Sequence, residues 1–89
     1  MKKRVVITGV GMITPLGLTT NDSWGALKAG KCGVGKITRF DASEYPTQIA
    51  AEVKGFNPET YIEPKEVKKM DTFIHYAIAA SQMAMDDSG

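Results

Sequence analysis

The sequence predicts an α/β chain, and three stretches carry that reading. Val5, Val6, Ile7 and Val10 form a β-branched apolar run without strict alternation, the pattern of a strand buried on both faces of a sheet. Gln48-Ile49-Ala50-Ala51-Glu52-Val53 alternates, with Ile49, Ala51 and Val53 to one side, and reads as a second, half-polar strand. From Phe73 to Asp87 the apolar residues Phe73, Ile74, Ala77, Ile78, Ala80, Ala84 and Met85 recur at helical spacing. A double-sided strand needs sheet neighbours on both sides and helices over both faces. One other credible strand does not supply them. The chain is therefore expected to be part of a larger α/β arrangement.

The elements follow in order. Arg4 to Val10 is the first strand; Gly9 and Gly11 then thin the backbone, and Thr14-Pro15-Leu16-Gly17 makes a turn. Thr19-Thr20-Asn21-Asp22-Ser23 is rich in side chains that accept hydrogen bonds from the free N–H groups of a first helical turn. A short helix follows, with Trp24 and Leu27 expected on its buried face and Gly30 placed to end it. Gly30 to Gly35 holds three glycines and reads as a loop, too glycine-rich for regular structure. Arg39 to Pro46 is irregular, the second strand comes next, and Gly55 to Glu63 is a connector carrying Asn57-Pro58-Glu59. Pro64 suits the first turn of a helix, where its missing N–H costs nothing. Asp71-Thr72 either caps a further helix or lies inside a longer one. Ala77, Ala80, Ser81 and Ala84 place small side chains on one side of the last helix, so another backbone can approach closely.

Composition bounds the function. With 89 residues there is room for one domain at most, and 43% hydrophobic with 24% charged residues is ordinary for a soluble globular chain. Eleven basic and ten acidic side chains give a net charge of +1, which argues against nucleic acid as the main partner. The start, Met1-Lys2-Lys3-Arg4 before an apolar run, superficially resembles a secretory signal. Glycines and Pro15 interrupt the run and it is too short to span a bilayer, so the expected setting is cytoplasmic and not membrane-bound. The single Cys32 has no partner for an intramolecular disulfide, in keeping with a reducing compartment.

Few residues offer chemistry. Gly30-Lys31-Cys32-Gly33-Val34-Gly35 lacks the full GxxxxGK[ST] spacing of a phosphate loop. Gly9-Val10-Gly11 has Thr14 where a dinucleotide fingerprint needs its third glycine. Cys32 has no nearby histidine to activate it, and His75, the one histidine, has no second ligand or adjacent nucleophile; a passive loop thiol and a structural or surface imidazole are the expected roles. No carboxylate pair, triad or metal set can be assembled, so no catalytic residue, cofactor or metal is expected. Lys65, Lys68 and Lys69 are different. Their spacing places three ammonium groups on one helix face, read either as a solvated face or as a docking patch for an acidic partner.

Three long segments then carry a specific resemblance: RVVITGVGMITPLG, WGALKAGKCGVGKITRFDASEYPTQIAAEVKGFNPETYI and PKEVKKMDTFIHYAIAASQMAMDDSG. Together they resemble, end to end, the N-terminal portion of the bacterial beta-ketoacyl-[acyl-carrier-protein] synthases. TGxGMITPLG, ITRFDASEY and KKMDTFIHYA are specific in combination, and the RFDASEY and KKMD segments look more like synthase II than synthase I. The resemblance implies a thiolase-like fold, two related α/β halves in five αβαβα layers, assembled as a homodimer. Residues 1–89 would be an N-terminal fragment of the first domain. It implies fatty acyl elongation by decarboxylative Claisen condensation between an acyl-enzyme thioester and malonyl-carrier protein. The family's nucleophilic cysteine and two histidines lie in later segments, and Cys32 and His75 match neither motif, so the 89 residues alone are expected to be inactive.

What the resemblance carries over is the docking of acyl carrier protein by the basic stretch before MD, here Lys65, Lys68 and Lys69. Lys68 stands where arginine is common and keeps the charge without the planar fork; Cys32 stands where a small hydroxyl residue is common. The alternative function is a non-catalytic module that binds a carrier protein or another synthase subunit.

Overall fold

A computed structural model describes residues 2–89, which fall into two compact units. Ile13–Phe56 forms one; residues 2–12 with Asn57–Gly89 form the other.

In the Ile13–Phe56 unit the predicted turn is present. Thr14 N–H donates to the Gly17 carbonyl at 2.9 Å and Gly17 N–H returns a bond to Thr14 at 3.1 Å, closing the chain around Pro15 and Leu16. Helix α1 spans Thr20–Lys28 and is capped by the Thr19 hydroxyl, which accepts from Asp22 N–H at 3.1 Å. It ends as its sequence predicts. Gly30 takes a φ of 73°, its N–H bonds to Leu27, and Lys31 N–H bonds to Ala26; these two bonds define a Schellman motif.

The buried face of α1 is not the expected one. Trp24 and Leu27 are 51% and 56% exposed, whereas Ser23 and Ala26 are buried. The turn explains this, because a methyl group on Gly17 would lie 2.7 Å from both the Asp22 Cβ and the Ser23 nitrogen. Only a small residue fits there. Ser23 is also satisfied, donating to the Gly17 carbonyl at 3.1 Å with its oxygen 2.8 Å from that of Thr14. Trp24 instead lies beneath the Lys28 ammonium, 5.7 Å from the ring centroid.

Strands β1 (Val34–Lys36) and β2 (Ile49–Ala51) pair antiparallel, with Val34 opposite Ala51 and Lys36 opposite Ile49. The second strand lies inside the predicted Gln48–Val53 stretch but is confined to Ile49–Ala51. The first corrects the reading of Gly30–Gly35 as a pure loop, since pairing with β2 supplies the ladder that the glycine content alone argues against. Glu52 closes the connection. Its carboxylate accepts from the Thr38 hydroxyl at 2.9 Å and from the N–H groups of Thr38 and Arg39, while Arg39 donates to the Val53 carbonyl at 2.6 Å.

In the other unit the expected strand from Arg4 to Val10 is absent. No strand among the described residues pairs with it, and Val5 and Ile7 are 91% and 85% exposed. An apolar run becomes a strand only when neighbours accept its ladder bonds, and those neighbours are missing here. The segment is held at its far end. Val10 N–H donates to the Asp87 carboxylate at 3.0 Å, and Gly9 and Gly11 lie directly against helix α3 (Thr72–Ser88). A methyl group on Gly9 would overlap the Ala84 carbonyl oxygen, and one on Gly11 that of Ala80. Ala80 and Ala84, two of the four small residues expected to admit a close backbone, do so, together with Ser88.

Asn57 caps a 3₁₀ turn, Pro58–Thr60, and Ile62 is buried after it. Helix α2 (Pro64–Val67) begins with proline as predicted, and Asp71 starts a separate helix, its carboxylate accepting from Thr72 N–H at 2.7 Å. Ala79 is fully buried and His75 nearly so. Among the described residues no helix is long and apolar enough to cross a membrane.

Candidate functional site

The three lysines lie on the passage from α2 to α3. Lys65 is inside α2, with its ammonium 3.8 Å from the Glu63 carboxylate, both side chains being well exposed. Lys68 caps the helix and is exposed, with no ion pair among the described residues. Lys69 lies in the following turn, 3.5 Å from the Glu66 carboxylate. The spacing predicts one helix face for all three, but α2 stops at Val67, so Lys68 and Lys69 lie beyond it.

A side-chain contact coincides with that stop. The Nε2 atom of His75 lies 3.0 Å from the Val67 carbonyl oxygen. A carbonyl only accepts, so the ring nitrogen donates. In a continuing α-helix this carbonyl would receive Asp71 N–H. Here it receives His75 and the nearer Met70 N–H at 3.4 Å, while Lys69 N–H bonds to Glu66 at 3.1 Å. The chain tightens through these i→i−3 bonds, and Asp71 turns extended, with φ −75° and ψ 161°, to begin α3.

Electrostatically the patch is mixed. Three lysines against Glu63 and Glu66 leave a surplus of one positive charge over residues 63–69. Exposed ion pairs of this kind are worth only about 0–1 kcal/mol, so Lys65 and Lys69 remain available to an outside anion. The expected attraction is local and salt-sensitive. The two glutamates are partners that the reading of the lysines overlooks, although the i,i+3 spacing of Glu66 and Lys69 is a signal for one of them.

The other candidates do not form a second site among the described residues. Cys32 is an exposed free thiol whose sulfur lies 4.0 Å from the Val34 carbonyl oxygen. His75 lies in the same unit as the lysines, buried beside the end of α2. The glycines of Gly9-Val10-Gly11 serve contact with α3 rather than a phosphate. Among the described residues no three His, Cys, Asp or Glu side chains are placed to hold a metal ion.

Comparison with known proteins gives this geometry its setting. The family model for the beta-ketoacyl synthase N-terminal domain matches residues 2–89. The chain is 52% identical over 88 residues to the 3-oxoacyl-[acyl-carrier-protein] synthase 2 of Coxiella burnetii, covering 99% of this chain and 21% of that protein. The enzyme of the same name from Synechocystis is 49% identical over 87 residues, covering 98% and 21%. Among solved structures, the ishigamide ketosynthase/chain length factor superposes with a TM-score of 0.84 at 37% identity, over 94% of this chain and 21% of that one. The chain thus spans about a fifth of the length of the relatives it matches.

Proposed function

Because the chain belongs to the beta-ketoacyl synthase family, we propose that it is the N-terminal portion of a condensing acyltransferase of the 3-oxoacyl-[acyl-carrier-protein] synthase 2 type. Its fold is α/β and thiolase-like in this N-terminal part. The whole protein would elongate fatty acyl chains by decarboxylative Claisen condensation, as a cytoplasmic homodimer with its two α/β halves in five layers. Covalent attachment of the acyl group to a cysteine would split the reaction into acyl transfer and carbon–carbon bond formation. Residues 1–89 contribute neither that cysteine nor a general base. Their part is scaffold and docking, as a fragment of the first domain.

The observation that carries the docking role is the exposed Lys65, Lys68 and Lys69 set at the end of α2. Its partner is acyl carrier protein, which the names of the relatives specify as the substrate carrier. A small basic patch meeting an acidic surface steers encounter and sets register more than it adds affinity. Replacing all three lysines with glutamate in the intact protein should weaken carrier binding by roughly tenfold or more at low ionic strength, with the difference shrinking as salt rises. Titration by isothermal calorimetry at two salt concentrations measures this. Unchanged affinity at low salt removes the docking role.

A further inference from the structure

We propose that His75 is a positioning residue for the Lys68–Lys69 turn, with its Nε2–H holding the Val67 carbonyl so that α2 ends there. The consequence for carrier binding rests on the docking role proposed above. The effect on the turn stands on the geometry alone.

His75 is only 8% exposed, and its Nε2 atom lies 3.0 Å from an acceptor eight residues earlier in the chain. The bond ties α3 to the last residue of α2, immediately before the two lysines. It occupies a helix-terminal carbonyl that needs a donor, and it does so from a rigid, buried ring whose own helix is capped by Asp71. Lys68 and Lys69 therefore sit on a turn fixed at both ends. Long exposed side chains lose entropy when a partner orders them; a fixed backbone beneath them confines that loss to the side chains. Since the acceptor carries no proton, the neutral imidazole holds its proton on Nε2. Glutamine reaches its Nε2 donor through the same number of bonds from Cα and can replace this function, whereas leucine cannot.

Three measurements on the intact protein test this. Nitrogen-15 shifts of the His75 ring should show a protonated Nε2 at neutral pH; a bare, pyridine-like Nε2 would overturn the proposal without any variant. In His75→Leu, amide exchange at Lys69 and Met70 should accelerate by about three- to tenfold, the scale of one lost hydrogen bond, and His75→Gln should restore slow exchange. Binding of acyl carrier protein at low salt should fall several-fold in the leucine variant and recover in the glutamine variant. Unchanged exchange in His75→Leu rejects the positioning role whatever binding does. Faster exchange with full carrier binding rejects its link to docking. A Lys68→Glu variant that binds the carrier normally rejects the docking role itself, while the ring and exchange measurements still decide what His75 does to the turn. Should the leucine variant not fold, the wild-type ring shifts decide alone.

Discussion

Placing a methyl group on Gly11 tests how the first segment is fixed to the protein. The added Cβ would overlap the Ala80 carbonyl oxygen and lie 2.9 Å from the Ala80 carbonyl carbon and the Ala84 nitrogen. All three are helix backbone atoms, which no rotamer change can move aside, so the segment must lift from α3. Overpacking of this kind costs about 1–3 kcal/mol. Lifting also strains the Val10 to Asp87 bond, adding about 0.5–1 kcal/mol, while the stiffer unfolded chain returns about 0.4–1 kcal/mol. Gly11→Ala should therefore destabilise by about 1–3 kcal/mol and lower Tm. Gly25→Ala is the control. It lies inside α1 with no atom within 4 Å of the added carbon, and should stabilise by about 0.5–1 kcal/mol through helix propensity. Thermal unfolding followed by circular dichroism reads both, and amide exchange at Val10 reports the local site. If Gly11→Ala melts at or above the wild-type temperature with Val10 exchange unchanged, the packing of this segment on α3 is refuted.

Two further tests concern the Ile13–Phe56 unit. Ser23→Ala removes the hydroxyl that donates to Gly17 and meets Thr14, and should cost about 1–2 kcal/mol in urea unfolding; a loss below a few tenths would show that the turn does not depend on it. Glu52 has its carboxyl held below the ordinary glutamate range, chiefly by the Thr38 hydroxyl and also by the N–H groups of Thr38 and Arg39. A group whose folded pKa is depressed contributes stability above its unfolded pKa and loses it as pH falls through the folded one. Acidification should therefore release the Thr38 amide only below the usual glutamate titration range, and Glu52→Gln should abolish that step. A midpoint for Glu52 at the ordinary value, read by NMR, contradicts the bonding.

Much of the local structure was legible because its causes are local. Thr19 and Gly30 bound α1 through bonds to residues within a few positions, Pro64 opens α2 by its fixed φ, and capping by Asp71 is one of two readings of the α3 start. The alternation of Gln48–Val53 placed β2 for the same reason. The long motifs also sufficed to indicate the family, since their combination occupies nearly the whole chain.

What the sequence left open depends on partners distant along the chain. Val5 to Ile7 is written as a buried strand, yet strand structure requires neighbours that no described residue provides. The inner face of α1 fell to Ser23 and Ala26 rather than Trp24 and Leu27, because Gly17 packs too closely on the helix for anything larger. At the candidate site, spacing alone put Lys65, Lys68 and Lys69 on one helix. Only the fold brings the His75 ring onto the Val67 carbonyl, where that helix ends. Capping and periodicity act through the backbone within a turn or two and are visible in the sequence. Packing distance and cross-chain hydrogen bonds depend on where the chain returns, and the tertiary structure decides them.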